Sequence, residues 1–188
     1  MALLQLFEQG VAAHRTGKLA QAENLYRQVL RADAGNFPAL HMLGYLKAQQ
    51  GQYDEAITLL NKAVKQKPAD LAARGHHAHA LMAARRFDEA LPAYDHILAA
   101  QPGNFEAHYN RGVILSQKLR FEESLAALDA ALALRPGTAA VFHNRGVVLV
   151  GLERYREALE SYDRALELDP DYAPARANRA MAGCACSG

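Results

Sequence analysis

The chain repeats itself every 34 residues, and this period constrains its fold more than any other feature of the sequence. Four prolines mark the period: Pro68, Pro102, Pro136 and Pro170. Small residues recur with the same spacing at Gly10, Gly44, Ala78, Gly112, Gly146 and Ala180. A second series of small residues comprises Ala22, Ala56, Ala90, Ser124 and Ala158. Five units in strict register indicate a repeat protein, in which each unit packs against its neighbours.

Each unit predicts two helices joined by a short turn. Proline supports the boundaries because it lacks an N–H group and is tolerated only near a helix start. The predicted helices span residues 2–15, 19–31, 37–49, 53–66, 70–84, 87–99, 104–117, 121–134, 138–150 and 155–168, with a last helix that starts near residue 171 and frays after residue 181. Pro92 lies inside one of them, so we expect it to remove one hydrogen bond and to kink that helix.

This pattern resembles the tetratricopeptide repeat. A ring or Leu opens each second helix, at Leu19, Tyr53, Phe87, Phe121 and Tyr155. The resemblance divides the chain into repeats 3–36, 37–70, 71–104, 105–138 and 139–172 and a trailing helix at 173–183. We therefore expect a single array over residues 1–183, followed by a disordered tail at 184–188. The fold implied is all-α, a right-handed superhelical solenoid of antiparallel helix pairs.

The small residues predict where helices approach each other closely. A bulky side chain at such a position overpacks the contact, at a cost of about 1–3 kcal/mol. We expect Gly112→Leu and Ala158→Leu to destabilise the protein for this reason.

Charge and composition exclude several classes of partner. Lys plus Arg number 21 and Asp plus Glu number 20, which gives a formal charge of +1. This balance predicts neither nucleic-acid nor membrane binding. The sequence shows no signal peptide and no apolar run near the roughly 18 residues that span a bilayer, which favours a cytoplasmic protein. Cys184 and Cys186 lie together in the tail, so no disulfide framework is expected.

The resemblance also implies a binding surface. In such arrays the first helices of the repeats form a concave groove that holds an extended peptide or a helix. The residues at groove-facing positions that we expect to contact a ligand are Tyr45, His76, His79, Tyr109, Asn110, Gln117, His143 and Asn144. The expected partner is therefore another protein or a peptide.

Asn110, Asn144 and Asn178 occupy the same position in successive repeats. An amide both donates and accepts hydrogen bonds, so a row of Asn side chains can bind the main chain of an extended peptide. This row resembles the asparagine ladder of O-linked N-acetylglucosamine transferases. The alternative is that Asn-Arg-Gly is common repeat consensus with no ligand.

Other groove chemistries are not favoured. The carboxylate clamp of chaperone-binding repeats needs a Lys and an Asn at groove positions where this chain has neither. His76 and His79 share a helix face with His41 one repeat earlier, but no Cys, Asp or Glu joins them at ligand spacing, so no metal site and no cofactor is expected. No phosphate loop, nucleophile elbow or HExxH motif is present, which predicts a protein that is not an enzyme.

Three functions remain open at this point. The first is a non-catalytic scaffold that binds a peptide or helix in the groove. The second is the substrate-recruiting region of a larger glycosyltransferase-type protein. The third is a self-assembling structural module, a homo-oligomer joined through the array ends, where Leu3, Leu4, Leu6 and Phe7 are apolar.

Overall fold

Residues 2–186, which a computed structural model describes, form eleven α-helices. They are α1 (Ala2–Arg15), α2 (Leu19–Ala32), α3 (Phe37–Gln49), α4 (Tyr53–Gln66), α5 (Leu71–Ala83), α6 (Phe87–Ala100), α7 (Phe105–Gln117), α8 (Phe121–Leu134), α9 (Ala139–Gly151), α10 (Tyr155–Leu168) and α11 (Ala173–Cys186). Consecutive helices pack as pairs, such as α1 with α2 and α9 with α10. The predicted all-α fold of helix pairs is therefore confirmed.

Side-chain caps explain why some helices begin one residue later than predicted. Asp70 and Asn104 precede α5 and α7 instead of forming their first residues. The Asp70 carboxylate accepts a hydrogen bond from the Ala73 N–H at 2.9 Å, and the Asn104 amide oxygen accepts one from the Ala107 N–H at 2.9 Å. Each cap satisfies a backbone donor that has no partner within the helix.

The predicted close approach of paired helices depends on glycine. A Cβ atom at Gly44 would lie 2.6 Å from Leu60 Cγ, and one at Gly112 would lie 2.8 Å from Leu128 Cγ. Real Cβ atoms do not come so near to other carbon atoms, so the second helix occupies the space that a larger residue would need. The repeated small residue is thus a packing requirement.

The turn inside each repeat needs one residue with a positive φ angle. Gly17 and Gly51 supply it in the first two repeats, with φ of 72° and 75°. Arg85, Leu119 and Glu153 take the same conformation in the next three, with φ of 59°, 58° and 60°. The backbone at these three residues is therefore strained in a way that glycine avoids.

The chain divides into two compact units, one up to Ala93 and one from Tyr94 onward, with the division inside α6. A core cluster of the first unit comprises Ala13, Ala22, Leu25, Tyr26, Leu43 and Leu46. The second unit has two such clusters. One comprises Leu149, Ala158, Tyr162, Ala165, Ala175 and Ala182, and the other comprises Leu128, Ala131, Val141 and Val148. Helix α6 continues through Pro92, and the kink expected there stays a prediction. The single array over residues 1–183 also stays a prediction.

The last helix is longer than predicted. It begins at Ala173 and ends at Cys186, whereas the sequence predicts fraying after residue 181 and a tail from residue 184. Ala182 is buried in the core of the second unit, which anchors the last turns, and Gly183 does not interrupt them. The helix thus includes residues 184–186, which the sequence assigns to the tail. Residues 187–188 lie outside the described residues. Each helix within residues 2–186 is too short or too polar to cross a lipid bilayer.

Candidate functional site

The predicted contact residues fall into both units. Tyr45, His76 and His79 belong to the first unit. Tyr109, Asn110, Gln117, His143 and Asn144 belong to the second. In the first unit we define the ring face as His14, Phe37, His41, Tyr45 and His76. In the second unit we define the amide face as Tyr109, His143, Asn144, Tyr172 and Asn178.

The ring face consists of aromatic and imidazole rings in contact. The ring of Tyr45 stacks on that of His76, with centroids 4.3 Å apart and planes inclined by 18°. His41 Nε2 lies 2.8 Å from His76 Nδ1, which makes a direct hydrogen bond between two imidazoles. Phe37 and His14 extend the row, at 5.8 Å from His41 and 5.8 Å from Tyr45. First helices α1, α3 and α5 hold these side chains, as the repeat register predicts.

Both bonded histidines are uncharged at neutral pH. Burial, with smaller contributions from His41 and His79, lowers the pKa of His76 to about 4. Burial also lowers the pKa of His41, against a smaller opposing effect of Asp70. The imidazoles of His41 and His76 are therefore neutral at pH 7.

His79 is exposed on α5, one turn beyond His76. Its ring lies near enough to His76 to affect the pKa of that residue, but no hydrogen bond joins the two. In the part of the chain that the structure describes, no group of three or more His, Cys, Asp or Glu side chains is arranged to hold a metal ion.

The amide face is a set of polar side chains bonded across first helices. Asn144 Nδ2 donates a hydrogen bond to the Tyr109 hydroxyl oxygen at 3.0 Å. Asn178 Nδ2 lies 3.0 Å from His143 Nε2 and pairs with it in the same way. These bonds link α9 to α7 and α11 to α9, so Tyr109, His143 and Asn144 lie on two adjacent first helices.

Sequence reasoning missed Tyr172, which packs edge-on against His143 with ring centroids 5.5 Å apart. Its electrostatic effect also reaches Tyr109, where it adds to burial in raising the pKa of that hydroxyl. Tyr172 closes the fifth repeat in the turn before α11, a place outside the first-helix positions that we considered. A ring in that turn is the signal that could have revealed it.

The three aligned asparagines have three different environments. Asn144 bonds Tyr109, whereas Asn178 bonds His143 and also opposes the burial that raises the pKa of Tyr162 to about 12. Asn110 is half-buried beside Tyr94, whose buried hydroxyl makes no hydrogen bond within the described residues even though the amide affects its pKa. The row is therefore not a uniform ladder.

The arginine that follows each asparagine has a structural role. Arg111 pairs with Asp95 and Arg145 with Asp129, each at 2.7 Å, and each pair ties a first helix to the second helix of the preceding repeat. Arg145 also donates to the Ser161 hydroxyl at 2.7 Å. In Asn-Arg-Gly, arginine and glycine thus serve packing between helices, whereas Asn144 bonds a side chain of another first helix.

Gln117 is not part of the amide face. It is exposed at the C-terminal end of α7 and makes none of the contacts described above. A cavity of about 300 Å³ opens beside the face instead, lined by Val147, Val150, Tyr155, Tyr162, Asn178, Met181 and Ala182. Its lining is mostly apolar and contains no charged side chain.

Comparisons with known proteins agree with this architecture. Sequence models described as tetratricopeptide repeat match residues 13–80, 77–139 and 139–172. No curated protein matches the chain by sequence.

Several solved structures share the fold. A crystal structure of YrrB, described as "a TPR protein with an unusual peptide-binding site", is 23% identical, with a TM-score of 0.83 over 90% of this chain and 88% of that one. MamA from AMB-1 is 26% identical, with a TM-score of 0.81 over 90% and 93% of the two chains. MamA from MSR-1 is 24% identical, with a TM-score of 0.82 over 90% and 97%. For YrrB and MamA from MSR-1, this level of identity concerns the fold alone.

Proposed function

The chain belongs to the tetratricopeptide repeat family, and on that premise we propose that its amide face binds the main chain of an extended peptide from a partner protein. Repeats of this family generally act as non-catalytic scaffolds for protein interactions, so the partner is a protein or peptide. We further propose that the chain carries out no catalysis itself and acts in the cytoplasm, as its composition predicts.

One observation carries the proposal: the hydrogen bond between Asn144 and Tyr109 leaves groups of both polarities available. Asn144 uses its Nδ2 atom as donor, which leaves its amide oxygen as an acceptor. Tyr109 uses its oxygen as acceptor, which leaves its hydroxyl hydrogen as a donor. A peptide unit offers one N–H donor and one C=O acceptor, so the pair can satisfy both.

The internal bond also prepares the site. Both side chains are half-buried and hold each other in place before any ligand arrives. A preorganised side chain loses less conformational entropy on binding than a free one, which favours affinity. The solvent-exposed Gln117 has no such restraint, and we therefore assign it no contact.

The neighbouring cavity supports the same function. Val147 lies about one helical turn after Asn144 on α9, so a peptide bound at Asn144 passes the cavity entrance. We propose that an apolar side chain of that peptide enters the cavity. Tyr45 and His76 of the ring face, and His79 beside them on α5, would contact further neutral or aromatic side chains.

The similarity to YrrB adds support of a general kind. That protein is described as having a peptide-binding site, and its fold covers 90% of this chain. The contact residues proposed here come from the geometry of this chain and not from that similarity.

Selection from a phage-displayed library of random twelve-residue peptides tests the proposal. Peptides that bind the whole chain are then measured against Tyr109→Phe and Asn144→Ala. Each substitution removes one hydrogen-bonding group, so we expect the affinity for most selected peptides to fall by about 3- to 10-fold, whatever their sequence. The matched control is Glu122→Gln, an exposed residue on second helix α8, which should leave affinity unchanged.

Two results would overturn the proposal. Selected peptides that bind both variants as tightly as the original chain would place the site elsewhere. A chain that selects no peptide at all would exclude peptide binding as its function.

Self-association is a second candidate, since Leu4 on α1 and Met181 on α11 are 63% and 64% exposed. If these side chains join copies of the chain, sedimentation should show a mass that rises with protein concentration. Leu4→Lys or Met181→Lys should then restore the mass of the monomer. The role of a glycosyltransferase region stays a prediction.

A further inference from the structure

The hydrogen bond between His41 and His76 joins the first helices of two successive repeats in the first unit. His41 Nε2 on α3 and His76 Nδ1 on α5 are 2.8 Å apart, and the ring centroids are 4.9 Å apart. We propose that this pair is an acid-sensitive tie between α3 and α5: it stays closed with no or one added proton and opens when a second proton binds.

The chemistry of imidazole sets this limit. In the neutral pair, one ring donates its N–H to the lone pair of the other. A first added proton binds a nitrogen that faces away from the bond, so the donor and the acceptor remain. A second proton must occupy the accepting nitrogen, and two N–H groups then face each other. The bond is lost at that step, and two like charges lie side by side.

The surroundings keep the tie closed at neutral pH. His41 and His76 are both half-buried, and Tyr45 stacks on His76 while Phe37 lies against His41. Burial disfavours the charged imidazole and lowers the pKa of both histidines, to about 4 for His76. Burial therefore resists each added proton, and the rings leave this apolar contact only when the second proton binds.

Two nearby groups act on the protonation of the pair. The carboxylate of Asp70, the cap before α5, favours it, whereas His79 on α5 opposes protonation of His76. From α1, His14 packs against Tyr45, and Lys67 after α4 stands 4.3 Å from the centre of the Phe37 ring.

Charged groups on α2 and α4 that pack on α3 interact with Lys47 and not with the histidine pair. On α2 and α4, the network at the buried ammonium of Lys47 comprises Glu23, Arg27 and Glu55. Repulsion from His79 thus adds to burial in resisting protonation of His76, and the carboxylate of Asp70 opposes both effects.

Opening would change the ring face, because His76 would lose both its bond to His41 and its stack on Tyr45. An effect on peptide binding at that face rests on the proposed function. Proton uptake and opening do not, so they can be tested without any peptide.

The test is an acid titration of the whole chain from pH 8 to pH 3.5, followed through the histidine side-chain nitrogens by NMR. Amide hydrogen exchange is measured at the same pH values. We expect two successive protonation steps for the pair, with the hydrogen-bond signature lost and amide exchange in α3 and α5 increased only at the second. In His41→Phe, His76 should titrate in a single step at a shifted midpoint. His96→Gln is the control, because His96 is exposed in the second unit, and it should leave both steps unchanged.

Each contrary result overturns the tie. The midpoint of His76 could be the same with and without His41, which would show that the two rings titrate independently. Amide exchange in α3 and α5 could stay constant through the second step. The whole chain could also unfold before that step, in which case no local opening exists. Failure of peptide selection would leave this inference intact.

Discussion

Gly112 on α7 lies directly against Leu128 on α8, and a Cβ atom at residue 112 would stand 2.8 Å from Leu128 Cγ. The same relationship joins Gly10 to Tyr26 and Gly44 to Leu60 in the first unit. In each of these repeats, the two helices of the pair therefore pack so closely that the first helix has no room for a side chain at the glycine.

Gly112→Leu should lower the free energy of unfolding by about 1–3 kcal/mol, even though leucine is the better helix former. The added side chain must displace α8, since the space is already filled. Urea denaturation followed by circular dichroism measures the loss. Gly137→Leu is the matched control, because Gly137 has open space around it, and its effect should stay within about 0.5 kcal/mol. Equal losses for the two variants would contradict the packing argument.

Leu119→Gly should raise the free energy of unfolding. Leu119 has a φ of 58° and a side chain that is 72% exposed, so glycine relieves strain and removes little packing. The expected gain is about 0.5–1 kcal/mol, because the lost strain exceeds the greater freedom of glycine in the unfolded chain. The reverse exchange at the equivalent turn, Gly51→Leu, should destabilise the protein. A thermal melt of both variants checks the two signs, and a gain from both would refute the argument.

Alkaline solution should weaken the fold through its buried tyrosines. Burial raises the pKa of Tyr162 from 10.0 to about 12, whereas an unfolded chain loses that proton near 10.0. Between these values the folded state binds more protons than the unfolded state, so stability falls as pH rises through this window. Urea unfolding at pH 9, 10 and 11 measures the decline.

In Tyr162→Phe the decline should be shallower, because the hydroxyl whose pKa is raised is absent. A decline of the same slope in both chains would show that Tyr162 is not responsible for it.

Val150→Lys should weaken binding of peptides that carry an apolar residue and spare those that lack one. The new charge would sit in the apolar cavity beside the amide face, where burying it is costly. Titration of paired peptides, identical except for one Leu→Ser exchange, separates the two effects. Val113→Lys is the control, because Val113 is a valine on a different first helix and does not line the cavity. If Val150→Lys weakens both peptides equally, the cavity does not hold the side chain.

Most of the fold could be predicted because its signals are local and recur. The small residue of each first helix, the prolines between repeats and the ring that opens each second helix repeat every 34 residues, so one repeat confirms another. The sequence predicts the starts of α5 and α7 one residue too early, at Asp70 and Asn104. A capping residue differs from the first helical residue in its hydrogen bonds, which composition does not reveal. The end of α11 was misjudged because burial of Ala182 is a tertiary effect.

The candidate site could be predicted only in part. Register alone places His143 and Asn144 on one surface with Tyr109. It does not say that Asn144 bonds Tyr109, that His76 bonds His41, or that Tyr172 joins from a turn. Those contacts depend on the rotation and spacing of adjacent first helices, which period and composition do not specify.

By itself, the sequence determined the repeat, the helix pairs and the residues that share a helix face, because these follow from a 34-residue period and from the 3.6-residue turn of a helix. Only the tertiary structure decided which of those residues meet. The rotation and spacing of adjacent first helices, which arise from the packing of successive helix pairs, determine whether two polar side chains on those helices bond each other.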